Sequence, residues 1–276
     1  MQNRFPKTIN QLGLFLLIYI GFSVIIALPF IISTYLSDSQ QNSWLIAITS
    51  LFLNSALIIY YCRSDWKTVF TAPFTDQRKT PVSMILVITI TTLFSIITCD
   101  PIGAFLHLPD YSGEAIKEMI NSPVIGFLTI CIMAPLFEEI IFRGIILKGL
   151  LQNYSPGKAI FYSAFVFGLI HFNPIQSVGA FLIGLLMGWL YYRSNDLRLT
   201  ILVHFTNNSL SFFLSKFTLF RESDSFYDIL NNNTIYFSAL AVSLLGLFIC
   251  IQYLNKKLPP SLPEKHLLNV DFELTD

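Results

Sequence analysis

The chain has 276 residues, of which 54% are hydrophobic, 15% aromatic and 12% charged, with a formal net charge of zero. Soluble domains carry roughly 25% charged residues, so an ordinary soluble protein is excluded. The even balance of charge also leaves no basic face for nucleic acid. Apolar runs near the ~20 residues needed to cross a bilayer recur along the whole length, and they define an all-α polytopic membrane protein.

In chain order, the apolar runs and their polar, Pro and Gly breaks predict eight transmembrane helices, over residues 12–36, 44–62, 82–106, 123–149, 158–172, 175–192, 199–216 and 234–254. MQNRFPKTINQ precedes the first without a small-residue cleavage site, so that span is expected to be retained. The loops SDSQQNS and HLPDYSGEAIKEMINS are poor in Lys and Arg and are expected to face outward. The fifth span is short, because Asn173 precedes Pro174 and is pushed away from helical geometry. In the sixth span, Gly179, Gly184 and Gly188 should let a neighbour approach closely. Residues 1–258 form one helical membrane domain, and 259–276 form a polar, proline-interrupted cytosolic tail.

With a cytosolic amino terminus, 13 of the 17 basic residues fall on the inner side, which fits an even number of spans and two cytosolic termini. The four cysteines, Cys62, Cys99, Cys131 and Cys250, lack the paired spacing of a zinc site or a disulfide framework and read as small apolar packers.

Some polar residues fall where apolar ones are expected. APLFEEIIFRGIIL, residues 134–147, carries Glu138, Glu139 and Arg143 inside a span, where each charge costs about 2.5–3.5 kcal/mol on insertion scales. Glu139 and Arg143 stand four apart on one face and form a structural ion pair. Glu138 points about 100° away around the helix and needs a partner from another span. Phe167 and His171 are one turn apart near the end of the fifth span, and His204 and Asn208 one turn apart near the start of the seventh. His107 and His266 fall in loop and tail and read as ordinary solvated side chains.

A carboxylate beside a neutral imidazole can hold a water and take its proton. A second imidazole and an amide one turn apart supply donors for the oxyanion of a tetrahedral intermediate. Glu138 and His171 are then base and partner, and His204 and Asn208 the oxyanion donors of a site that hydrolyses an amide. The same side chains could hold a divalent metal such as zinc through Glu138, His171 and His204, although the chain lacks an H-E-x-x-H spacing. Two other classes compete: a proton-coupled transporter or export accessory with an acid–histidine relay, and a non-catalytic immunity protein.

EEIIFR at Glu138–Arg143, FGLIH at Phe167–His171 and HFTNN at His204–Asn208 occur in that order on successive spans. In these motifs the chain resembles the CPBP family of intramembrane endopeptidases, also called the Abi or type II CAAX prenyl protease family, over about residues 123–216. The resemblance implies eight membrane helices with the catalytic core in the fourth to seventh, and a site open toward the cytosol. It implies Glu138 as base, His171 as its partner, and His204 and Asn208 at the oxyanion. The glutamate mechanism implied in this way needs no cofactor; the metallo alternative takes one divalent metal. The expected substrate is a membrane-embedded or lipid-anchored peptide. Similarity to compact bacterial members implies a bacterial cell membrane and a role in bacteriocin maturation or self-immunity.

Depth poses a geometric problem. At 1.5 Å per residue from the cytosolic ends of their spans, His171 should lie about 20 Å deep and His204 less than about 10 Å. Straight, full-length spans would keep them apart, so the fifth helix is expected to start deeper, after a dipping YSPGKA segment. Pro135, three residues before Glu138, is expected to free a backbone carbonyl one turn earlier and to kink the helix toward the site.

Overall fold

The computed structural model describes residues 6–37, 43–62, 80–106, 108–109, 122–221, 223 and 225–258. Among these residues the regular structure is helical, and a helix forms at each expected segment. These are α1 (Ile9–Ser37), α2 (Ser43–Cys62), α3 (Val82–Leu106), α4 (Pro123–Leu150), α5 (Pro156–Leu169), α6 (Pro174–Ser194) and α7 (Leu197–Leu214). Two short helices follow, α8 (Thr218–Arg221) and α9 (Phe226–Leu230), and then α10 (Asn233–Lys257). Among the described residues four segments, Val82–Ile102, Pro123–Leu150, Pro174–Ser194 and Asn233–Lys257, are long and apolar enough to cross a membrane. The apolar stretches Ile9–Ile25 and Leu51–Tyr61 are shorter. His107, His266, the loop SDSQQNS, most of the loop after α3 and the tail 259–276 lie outside the described residues.

The helices bury a core of Phe15, Ile88, Phe142, Ile145, Phe167 and Tyr191, while Leu17, Ile25, Val82, Val124 and Phe248 point outward. Large apolar side chains facing out all round a bundle suit hydrocarbon as the surrounding medium.

α4 carries the acidic pair and is not uniformly wound. Its stretches Phe127–Met133 and Ile140–Leu147 are π-helical, on either side of an α-helical Ala134–Glu139. The wider winding is visible where the N–H of Ala134 donates to the carbonyl of Thr129, five residues back. The next carbonyl in that register, that of Ile130, would be met by the N–H of residue 135, which is a proline and has none. The side-chain amide of Asn208 donates to it instead, at 2.9 Å. The carbonyl freed by Pro135 is thus capped by a motif residue of α7. π-helical insertions within α-helices cluster at functional sites.

α5 stops at Leu169, three residues sooner than expected, so His171 lies in the turn after the helix. Phe172 adopts a left-handed backbone with φ 51°, and Asn173 is extended before Pro174. A left-handed conformation costs a residue with a side chain roughly 1–2 kcal/mol, and such strain persists where the surroundings fix it.

α5 and α6 form an antiparallel hairpin in close contact. A Cβ on Gly184 would stand 3.2 Å from the Cβ of Ala164 and 3.2 Å from the ring of Phe167, and one on Gly188 would stand 3.0 Å from Ile160. The expectation for Gly179 is corrected: nothing lies within 4 Å of a Cβ there, because this glycine faces a cavity. The close approach comes instead from Gly168 of α5, whose Cβ would meet the carbonyl oxygen of Ser177 at 2.6 Å. α6 ends on Asn195, left-handed at φ 51°. Asp196 then caps α7, accepting from the backbone N–H of Arg198 at 2.9 Å and pairing with its guanidinium at 2.7 Å. Two residues suffice for the turn, which sets the register that carries His204 inward.

Candidate active site

The three polar motifs converge. Glu139 and Arg143 make the expected i,i+4 pair, with Arg143 Nη1 donating to Glu139 Oε1 at 2.7 Å and both side chains fully buried. The pair has a third member, since His204 Nδ1 lies 2.9 Å from the same Oε1. A carboxylate paired with a guanidinium only accepts, so Nδ1 carries the proton and Nε2 is left to face the other way. Arg143 Nη2 also donates to the carbonyl of Gly184 at 3.1 Å, joining α4 to α6. Both donors to Glu139 meet on one oxygen. Glu139 Oε2 and Arg143 Nε are buried without a hydrogen-bond partner among the described residues.

Phe167, 1% exposed, holds the motifs together. The Arg143 guanidinium carbon stands 4.7 Å from its ring centroid, and the rings of His171 and His204 meet it edge-on at 5.2 and 5.6 Å. Both imidazoles touch the one phenyl ring, which joins the end of α5 to α7. A cation over the face and rings at the edge are the favourable geometries for an aromatic quadrupole.

Glu138 has a different setting. Its side chain keeps 19% of its exposure, and Oε2 lies 3.8 Å from His204 Nε2, beyond direct hydrogen-bonding reach. Glu138 and His171 are not within ion-pair distance of each other. His171 Nδ1 is 2.8 Å from the carbonyl of Phe167. A carbonyl only accepts, so Nδ1 is the protonated nitrogen and Nε2 is left as an acceptor.

Glu138, His171, His204 and Asn208 all line one cavity of about 870 Å³. Its wall also takes Tyr19 from α1, Asn54 from α2, Asp100 from α3, Gln176 from α6 and Asn207 from α7. Sequence reasoning passed over these residues. Asp100 had a readable signal, being the one charged residue in the span 82–106. Tyr19 and Asn54 had none, as uncharged polar residues are common in spans. Asn208 is half committed elsewhere: one amide hydrogen serves Ile130, and its Oδ1 accepts from Asn207 Nδ2 at 3.1 Å. One amide hydrogen remains for the cavity.

For a metal, Glu138, His171 and His204 would have to converge. Among the described residues no group of three or more His, Cys, Asp or Glu is arranged to hold a metal ion. His204 and His171 each donate from Nδ1 to a protein oxygen, which leaves Nε2 of both rings unprotonated and open to a donor or a ligand, so only the spacing of the three side chains bears on a three-ligand site.

The cavity reaches Ile102, Gln176 and Ser215, toward the ends of α3 and α7 and the start of α6. Lys148, Lys158, Arg193, Arg198, Lys256 and Lys257 cluster at the opposite helix ends. Cytosolic termini, expected from charge, therefore compete with the cytosolic opening implied by the resemblance.

Residues 120–210, spanning α4 to most of α7, match the family model described as Type II CAAX prenyl endopeptidase Rce1-like. No curated protein and no solved structure matched the chain. The matched segment, about a third of the chain, holds Glu138, Glu139, Arg143, Phe167, His171, His204 and Asn208, and over it the chain is similar to the type II CAAX prenyl endopeptidases.

Proposed function

We propose that the chain is an intramembrane endopeptidase that hydrolyses a peptide bond of a membrane-associated peptide or protein with water activated by Glu138. The observation that carries this reading is the shared cavity, where a partly exposed carboxylate, two imidazoles and an amide meet inside an apolar bundle. Each such group is costly in a membrane span, and their gathering in one place suits chemistry better than helix adhesion.

A water within reach of Glu138 and of the acceptor nitrogen of His171 gives a proton to the carboxylate as its oxygen attacks the scissile carbonyl carbon. The negative charge that develops on the carbonyl oxygen is received by donors from α7, the free amide hydrogen of Asn208 and, when protonated, Nε2 of His204. Collapse of the tetrahedral intermediate breaks the C–N bond, and Glu138 returns its proton to the leaving nitrogen. Glu139 and Arg143 touch no reacting atom in this scheme. They orient His204, whose ring is fixed by the 2.9 Å contact with Glu139. The spacing of the three side chains favours this metal-free route over a metal bound by Glu138, His171 and His204.

The test is cleavage of membrane-embedded peptides by the full chain in liposomes, with products read by mass in water enriched in ¹⁸O. Wild type should release fragments with one labelled oxygen in the new carboxyl group, and Glu138→Ala, His171→Ala and His204→Ala should each release none while remaining folded. Full activity in Glu138→Ala sinks the proposal. Flux of a solute without fragments would favour the transporter reading, and protection by motif variants would favour an immunity protein. A part in bacteriocin maturation or self-immunity is consistent with an endopeptidase of this size, and the same variants test it in cells.

A further inference from the structure

We propose that the hydroxyl of Tyr19, on α1, donates a hydrogen bond to the scissile carbonyl oxygen as charge develops there, which makes Tyr19 a further catalytic residue. The inference rests on the peptidase reading above and adds a group from outside the segment that matches the family model.

α1 and α4 run antiparallel. The start of α1 is tied to the turn after α4, where the N–H of Ile9 donates to the Tyr154 hydroxyl at 3.1 Å and Asn153 Nδ2 to the Lys7 carbonyl at 2.9 Å. Further along, the ring of Phe15 meets that of Phe142 edge-on at 6.5 Å. Four residues on from Phe15 is Tyr19, and four back from Phe142 is Glu138. Each step is about 6 Å along its helix axis and keeps to one face, so the antiparallel order brings the two side chains to one level. Both line the cavity, and the charge of Glu138 acts on the phenol.

Tyr19 is only partly exposed. Among the described residues its carbonyl accepts from the Ser23 hydroxyl at 2.8 Å, while its own hydroxyl has no hydrogen-bond partner. Other hydroxyls on the wall are engaged: Ser95 donates to the carbonyl of Thr91 and Ser215 to that of Phe212. If Tyr19 only filled space, a phenylalanine would do so, as Phe15 does one turn earlier, without a hydroxyl to withdraw from water.

The proposed reaction has a place for such a donor. On α7 the oxyanion has one standing donor, the amide hydrogen that Asn208 does not give to Ile130. His204 holds its proton on Nδ1 against Glu139, so its Nε2 has none to offer at rest. A phenol keeps its proton through the neutral range, and one with no protein partner meets the new charge without breaking a bond first. No proton leaves Tyr19: the proton of the water passes to Glu138 and then to the leaving nitrogen.

The experiment uses the full chain in liposomes and an apolar peptide with a fluorophore and a quencher on either side of the bond that wild type cuts. Tyr19→Phe should lower kcat about 10²–10³-fold, the worth of one oxyanion donor, with KM unchanged. It should melt with wild type, because the hydroxyl it removes holds nothing in the fold. The acid limb of rate against pH should stay in place while the plateau falls. Two uncleavable analogues separate chemistry from structure. A phosphinate at the scissile position, a tetrahedral anion like the intermediate, should bind Tyr19→Phe at least about tenfold more weakly than wild type. A ketomethylene there, flat like the substrate, should bind both alike. Wild-type kcat in Tyr19→Phe, a raised KM alone, undiminished phosphinate binding, or an equal loss for both analogues would overturn the inference. So would an acid limb displaced to higher pH, which would make the hydroxyl a partner of Glu138 instead. If wild type cuts nothing, the peptidase reading falls and takes the inference with it. If wild type cuts, Glu138→Ala does not and Tyr19→Phe keeps pace with wild type, the inference falls alone.

Discussion

Glu138 and Glu139 are adjacent in the chain and chemically identical, yet the fold gives them opposite surroundings. Glu139 is fully buried and faces inward, held by Arg143 and His204. Glu138, about 100° around the helix, looks into a cavity and keeps part of its exposure. An acid with a guanidinium on it makes a poor base, because its lone pairs are engaged and its charge is stabilised. An acid beside a cavity and short of partners makes a better one. In the proposed mechanism the two faces of α4 divide the labour: the inner face holds geometry and the outer face meets water and peptide.

Breaking the inner face should show the largest effect on stability. Arg143→Met leaves Glu139 buried without its cation, at a cost of about 3–5 kcal/mol. The expected outcome is a large loss of folded protein in detergent, read by size-exclusion fluorescence, and a normal yield would mean that the inner cluster is dispensable. Next comes the joint between the faces. Asn208→Ala strips the cap from the Ile130 carbonyl and should cost about 1–3 kcal/mol in thermal unfolding, as a buried polar group loses its partner. It should also lower the cleavage rate, since the same amide faces the cavity. Asn208→Asp, once ionised, only accepts, so it offers the Ile130 carbonyl no donor and should not rescue either effect.

A smaller change sharpens the comparison from the packing side. Gly184→Ala places a methyl 3.2 Å from Ala164 and Phe167. It should cost about 1 kcal/mol in a melting experiment as an overpacked contact, with the larger relative effect on activity, because Phe167 aligns both imidazoles. The last prediction concerns sidedness and should leave stability unchanged. Cysteines placed at Ser215, on the cavity wall, and at Lys257, at the basic end, should react with a membrane-impermeant maleimide from opposite sides of sealed vesicles. Labelling of both from one side would contradict the up-and-down helix order.

The helices were legible because each apolar run approached membrane length and each break carried Pro, Asn or charge. Observed and expected ends differ by three residues or fewer. One three-residue slip bears on the site: Phe172 turns left-handed, α5 closes early and His171 falls beyond it. That conformation depends on the surrounding packing and leaves no mark in residue type. Within-motif spacing gave the Glu139–Arg143 pair, since four residues along a helix fix a face. Contacts between motifs had no such ruler. The bond from His204 to Glu139 spans 65 positions and that from Asn208 to Ile130 spans 78. Glu138 was expected beside His171, whereas the nearer imidazole is that of His204. Asp100 went unread although a lone acid in a span is a strong signal. It lies outside the three motifs, on α3.

The most direct measurement compares Glu138→Gln with Glu139→Gln in the same liposomes, reading peptide cleavage and thermal unfolding for each. Glu138→Gln should melt like wild type and lose about 10²–10⁴-fold in cleavage rate, the usual worth of a general base, whereas Glu139→Gln should melt lower. Wild-type cleavage by folded Glu138→Gln, or a shared loss of stability in both variants, would contradict the division between the two neighbouring acids.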